Sequence, residues 1–324
     1  MGCGLEYRPW DELIPDTLGQ IFRRLPLDEI LNVVPRVCKS WANAVRGPYC
    51  WQEIDIEDWS RYRRSESLDR MLLLLISRSH GSLRKLCVYG LSTCWGLDLI
   101  AENAKSLQNL RLPRSEISDP MVEQVAGRLS GLTFLDLSYC TKIGARALEA
   151  VGRNCKFLTH LQRNMHPWDV VDRTSQDDEA FAIAASMPKL KHLELAYLMI
   201  TIEGVVRIVT NCRELELLDM RGCWNVKREA KFFENFPRLK VVGPLVVDSS
   251  SGKGNGQHEQ LYYYPGSSDF MDWSFGDVEF DVFEDEEGDS SELDIDIEDG
   301  EELGLVFYNN LDVANVGDVW LESP

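Results

Sequence analysis

Apolar residues recur along this chain with a long period. A Leu-x-x-Leu-x-Leu core, or a near variant, begins at Leu83, Leu107, Leu132, Leu158, Leu190, Leu215 and Leu239, with successive starts 24, 25, 26, 32, 25 and 24 residues apart. Alternation at period two predicts a short strand with one face buried. Between cores the spacing turns helical, as with Val122, Val125, Ala126 and Leu129 in 121–129, or Val205, Ile208, Val209 and Cys212 in 204–212. One strand and one helix cannot hide their apolar side alone, so each copy must stack on the next. The pattern predicts a curved parallel α/β solenoid of about seven repeats over 81–247.

The residues on either side of each strand's middle apolar position point away from the core and line the concave face. The strand residues taken as candidates for holding a protein substrate are Asn109, Arg111, Phe134, Asp136, His160, Gln162, His192, Glu194, Leu217 and Asp219, with Lys85 and Cys87 at the same positions of the first copy. Phe134 and Leu217 beside charged neighbours fit a mixed protein-binding surface, in which aromatic anchors carry much of the energy. The fourth copy is irregular. Arg163 stands where its third leucine is expected, and a long connection, 164–178, follows with Met165-His166-Pro167-Trp168. That connection reads either as a recognition loop or as the passive loop of a decayed repeat.

Ahead of the repeats, three short helices are predicted. Asp16 is placed to cap the first, with Leu18, Ile21, Phe22 and Leu25 on one face and Pro26 as its stop; Asp28 is placed to cap the second, which Pro35 ends. The third carries Val37, Cys38, Trp41, Ala42 and Val45 before Gly47-Pro48. Forty residues with this much apolar surface cannot bury it among themselves. In order and spacing, Leu13-Ile14-Pro15-Asp16, Ile21-Phe22-x-x-Leu25-Pro26, Val37-Cys38-Lys39-Ser40-Trp41 and Trp51 resemble the F-box, over 9–52. The repeats, with Cys140 and Cys223 after strands and Cys155 and Cys212 at helix ends, resemble the cysteine-containing leucine-rich repeats that often follow an F-box. The combination is most similar to the plant F-box proteins described as partners of the Skp adaptor.

That resemblance implies docking onto a Skp-type adaptor, and through it a cullin, in a Skp–cullin–F-box ubiquitin ligase. The adaptor-facing residues it implies are Pro15, Leu18, Ile21, Phe22, Leu25, Pro26, Val37, Cys38 and Trp41, some of which must instead hold the helices together. Residues 53–80 read as a bridging segment whose Leu68, Met71, Leu72, Leu75 and Ile76 pack onto the first repeat. Two other readings stay open: a repeat scaffold outside the ubiquitin system, and a protein acting through its acidic C-terminal segment.

That segment enters through charge. Residues 1–253 carry 32 acids against 34 Lys and Arg, whereas 254–324 carry 21 acids and no Lys or Arg. Self-repulsion predicts a disordered tail after a flexible linker, 248–257. The net charge of −19 argues against nucleic-acid or anionic-membrane partners. The nine cysteines form no Cys-x-x-Cys pair and read as reduced core thiols, and no secretory signal opens the chain, so the expected place is intracellular, in nucleus or cytoplasm. No nucleophile elbow, zinc-binding cluster or nucleotide loop occurs, and neither catalytic residue, metal nor cofactor is expected.

Overall fold

The computed structural model describes residues 10, 13–167, 175–226, 233 and 235–244. The linker and the acidic segment lie outside them, as does Trp168. The sheet is parallel throughout, with eight three-residue strands in sequence order: β1 (Glu53–Asp55), β2 (Lys85–Cys87), β3 (Asn109–Arg111), β4 (Phe134–Asp136), β5 (His160–Gln162), β6 (His192–Glu194), β7 (Leu217–Asp219) and β8 (Lys240–Val242). Helices α4 (Glu57–Ser60), α5 (Ser65–Arg78), α6 (Cys94–Glu102), α7 (Asp119–Val125), α8 (Ala145–Asn154), α9 (Asp177–Ser186) and α10 (Ile202–Asn211) return the chain from strand to strand as far as β7. This is the predicted leucine-rich-repeat solenoid.

Register explains the leucines. Ile54, Leu86, Leu110, Leu135, Leu161, Leu193 and Leu218 are successive partners across the sheet, and all are buried. Each such side chain contributes roughly 1.5–3 kcal/mol by leaving water. Polar stitches fix the stacking. Asp69, Asp119 and Asp177 accept from the start of the following repeat, at Thr93 Oγ1 (2.8 Å), Gly144 N (2.7 Å) and Thr201 N (2.7 Å). The cysteines do the same work: the thiols of Cys140, Cys155, Cys212 and Cys223 donate to the carbonyls of Leu112, Leu129, Met187 and Leu195 one repeat back, at 3.1–3.4 Å. Burial pushes these thiols up to about 11 for Cys140 and Cys155 and about 12 for Cys212 and Cys223, so they stay protonated donors. All eight described cysteines are free.

Two expectations change. The segment 53–80 is not a separate bridge, because β1 pairs with β2 and α5 buries Leu68, Leu72, Leu75 and Ile76 as any repeat helix does. It is a further repeat, and its core is Trp51-x-x-Ile54-x-Ile56, all three buried, 32 residues before Leu83. The fourth repeat is not decayed either: Leu161 pairs in register with Leu135 and Leu193, and the sheet runs through it unbroken.

The N-terminal helices are α1 (Pro15–Phe22), a π-helical turn (Glu29–Val33) leading into α2 (Val34–Val37), and α3 (Lys39–Arg46). Their boundaries differ from expectation. Ile14 occupies the position ahead of α1, with Pro15 first in the helix and Asp16 in its first turn, and neither Asp16 nor Asp28 caps through its side chain. Pro35 does not end the second helix but lies in the first turn of α2, just after Val34, since a proline without an N–H is tolerated there; the widened turn before it is closed by Val34 N–H to Glu29 O. Cys38 is extended and breaks the chain between α2 and α3.

Candidate functional site

The described chain offers two surfaces for a partner, one on the helices and one on the sheet. On the helices, α1 lies so close to the 48–50 turn that a Cβ on Gly19 would sit 2.6 Å from Tyr49 Cβ. That approach turns Leu18 (0% exposed) and Phe22 (2%) inward, and the Phe22 and Trp41 ring centroids are 4.9 Å apart. Trp51, the last residue of the F-box pattern and the first of the β1 repeat, donates its indole N–H to Val45 O at 2.6 Å. One continuous apolar core therefore runs from Leu18 to Val226.

This geometry divides the nine implied adaptor contacts. Leu18 and Phe22 belong to the core and are removed from the docking face, because no partner can reach them without unfolding α1 from α3. Pro15, Ile21, Pro26 and Val37 are exposed, while Leu25, Cys38 and Trp41 are half-buried. Ile14 (63% exposed) and Val33 (56%) join them, although the sequence reading did not single them out as contacts. Of the twelve exposed large hydrophobics among the described residues, five (Trp10, Ile14, Ile21, Val33 and Val37) lie within residues 10–37. Large apolar side chains concentrated in this way on a surface mark a site for a partner, whereas singly exposed ones need no explanation.

On the sheet, the concave residues form two ladders. The first runs Lys85, Asn109, Phe134, His160, His192, Leu217, Lys240; the second runs Cys87, Arg111, Asp136, Gln162, Glu194, Asp219, Val242. Phe134 and His160 stack with centroids 6.0 Å apart, and His160 meets His192 edge-on at 4.3 Å. Burial first, then the neighbouring His192, push the His160 imidazole below its ordinary value. Asn109, Phe134, His160, Gln162, His192, Glu194 and Leu217 are half-exposed, as the strand pattern predicts.

Asp136 and Asp219 are corrections, since both are buried and committed to the fold. Asp136 accepts from Ser138 N (2.9 Å) and from Arg111 Nε (3.2 Å); Asp219 accepts from Arg221 N (3.1 Å) and Nε (2.9 Å). An acid that accepts the N–H two residues on shapes the turn after its strand. Arg111 is held on its other side by Glu57 Oε2 at 3.3 Å, so it too is engaged. Cys87 is buried, and desolvation pushes its thiol up to about 12.

The oddity at Arg163 has a structural cause. Its side chain is fully buried, with Nε donating to Glu179 Oε2 at 2.9 Å and Nη2 to Ile143 O at 2.9 Å. Gln176 completes the cluster, giving its Nε2 to Glu179 Oε1 (2.8 Å) while its own Oε1 accepts from Met199 N (3.1 Å). The cluster ties the far end of the long connection to the sheet; positions 168–174 lie outside the described residues. Glu179 was invisible as a partner because it sits sixteen residues on, at the start of α9. Among the described residues no group of His, Cys, Asp and Glu could hold a metal ion, and no helix is long and apolar enough to cross a membrane.

Sequence comparison with known families and relatives agrees with this architecture. The F-box-like family matches residues 12–57, which places its end inside the β1 repeat. Among solved structures, one from the yeast complex of Rad7 and Elc1 aligns with a TM-score of 0.44 at 20% identity, over 54% of this chain and 44% of that one. Two Arabidopsis thaliana proteins align over most of their length: F-box protein FBW2, 54% identical over 272 residues (83% of this chain, 86% of the relative), and F-box protein SKIP19, 32% identical over 286 residues (82% and 92%). A third, the putative F-box/LRR-repeat protein 23 of the same plant, is 34% identical over 68% of this chain and 49% of its own. With helices, sheet and relatives in agreement, the chain belongs to the plant F-box proteins with a leucine-rich-repeat body.

Proposed function

We propose that this chain is the substrate-recognition subunit of a Skp–cullin–F-box ubiquitin ligase. Its N-terminal helices dock a Skp-type adaptor, which connects it to a cullin, and its concave sheet holds a protein substrate for ubiquitination and degradation. The observation that carries the reading is the concentration of exposed apolar side chains on the F-box-like helices: Ile14, Ile21, Val33 and Val37 stand in water on a unit whose core is otherwise complete. Apolar groups of this size contribute roughly 1.5–3 kcal/mol each when an interface covers them, before the cost of association.

The continuous core supports the second half of the reading. An adaptor on α1–α3 and a substrate on β4–β7 would be held at a fixed separation, and such positioning replaces a bimolecular encounter with an intramolecular one. The chemistry then belongs to the ubiquitin-charged partner, and this chain acts without a catalytic residue of its own. Free buried thiols support residence in a reducing compartment, nucleus or cytoplasm. The test is co-purification of the full chain with a Skp-type adaptor. The intact chain recovers it, and a variant with Ile21→Asp and Val37→Asp loses it while unfolding at an unchanged denaturant midpoint. Failure of the intact chain to recover the adaptor, or equal recovery by the variant, overturns the reading.

A further inference from the structure

We propose that the concave strip selects a basic–apolar segment of its protein partner: an apolar side chain seated on the ladder of Phe134, His160, His192 and Leu217, and a Lys or Arg two positions away paired with the carboxylate of Glu194. The proposal rests on the reading of the sheet as the substrate-holding face and gives that substrate a chemistry.

Charge complementarity is the first argument. Acids on the second ladder and its extension to β1 are each matched by a cation: Asp55 by Lys85 (3.4 Å), Asp136 by Arg111 (3.2 Å), Asp219 by Arg221 (2.9 Å). Glu194 is different. Its Oε1 accepts from Gln162 Nε2 at 2.9 Å and its Oε2 from Asn164 Nδ2 at 3.1 Å, and both donors are neutral amides. Asn164 is itself fixed, its Oδ1 accepting from Ala196 N at 2.9 Å and its carbonyl from Tyr139 N at 2.7 Å. The carboxylate is thus oriented in advance, with no cation among the described residues paired to it. A guanidinium or ammonium arriving there forms a charge-assisted bond to an acceptor that needs no further ordering.

The ladder beside it is the second argument. Phe134, His160, His192 and Leu217 are consecutive partners on four strands, which at the usual strand separation makes a strip roughly 15 Å long. Burial and the neighbouring His192 push the His160 imidazole down, which favours its uncharged ring beside the Glu194 position. His192 and Glu194 lie two residues apart on β6 and point to the same side, about 7 Å from one another along the strand. An extended segment lying along β6 repeats its side chains at that same interval. The partner's sequence therefore reads apolar, any residue, basic.

The experiment uses the full chain, with its Skp-type adaptor where that co-purifies and alone where it does not, and two pools of short fluorescent peptides. The pools share Leu or Phe at a fixed position and differ two residues on, with Lys or Arg in one and Asp or Glu in the other; fluorescence polarisation reads binding. The basic pool binds and the acidic pool does not. Glu194→Gln weakens the basic pool about tenfold, Phe134→Ala weakens it by a similar factor, and Glu149→Gln on α8, on the helical side, leaves it unchanged. Equal binding of both pools, binding of neither, or insensitivity to Glu194→Gln overturns the proposal. Its fate is separable from that of the receptor reading: loss of adaptor recovery by the intact chain, with Glu194-dependent peptide binding retained, removes the ligase role and leaves the strip.

Discussion

The F-box-like helices and the repeat sheet treat apolar side chains in opposite ways. In the sheet every middle strand residue from Ile54 to Leu218 is buried, and the polar residues between them are paired or capped within the fold. In the helices only part of the apolar content turns inward, and Ile14, Ile21, Val33 and Val37 remain in water. The core side of the sheet is complete without a partner. The helices are folded but uncovered, and that contrast separates what holds the molecule together from what attaches it to another.

Four tests sharpen the contrast, in falling order of effect. Arg163→Ala strands Glu179 in the core and costs about 3–5 kcal/mol of stability by urea unfolding, whereas replacing both with leucine recovers most of the loss, since the penalty lies in an unpaired buried charge. Leu18→Ala in α1 costs about 2–5 kcal/mol, while Val37→Ala, exposed on α2, costs under about 0.5 kcal/mol in the same measurement and acts instead on adaptor affinity. Should the two prove equal in unfolding, the division of α1–α3 into core and face is wrong. Cys223→Ala removes one thiol–carbonyl stitch between repeats and costs about 1 kcal/mol. The smallest effect is one of pH. His160 has a lowered folded pKa from burial and from His192, with Glu216, Lys191 and Glu194 also acting on it. Its neutral form is favoured by folding, so this stability is present above the unfolded value near 6.5 and is lost as pH falls through the folded one. His160→Gln accordingly flattens the fall in stability on acidification below about pH 6.5.

How much of this was legible in the chain differs between the regions for physical reasons. Strands β2–β7 were readable because the inward position of a stacked repeat accepts little but Leu, Val, Ile or Met, so the period survives in the letters, whereas in β8 the pattern from Leu239 put Val242 inward and it is Val241 that pairs with Leu218. The β1 repeat uses Trp51, Ile54 and Ile56, and no leucine marks it; the 32-residue step to Leu83, the same as from Leu158 to Leu190, was the available signal. On α1, residues 18 and 22 make one stripe and residues 14 and 21 another. Both satisfy helical spacing, and only the approach of Phe22 to Trp41 decides which faces inward. Concave positions were likewise readable from alternation, but not their pairings: Asp136 and Glu194 occupy equivalent places, yet one meets Arg111 and the other two amides. Arg163 looked like a defect because its partner arrives from the next helix.

Hydrogen–deuterium exchange of the full chain, with and without a saturating Skp-type adaptor, tests the central division of labour most directly. The account predicts slowed amide exchange over α1–α3 and unchanged exchange over β4–β7, where the concave strip remains open for a substrate. Slowing confined to the sheet, with α1–α3 unaffected, would contradict it.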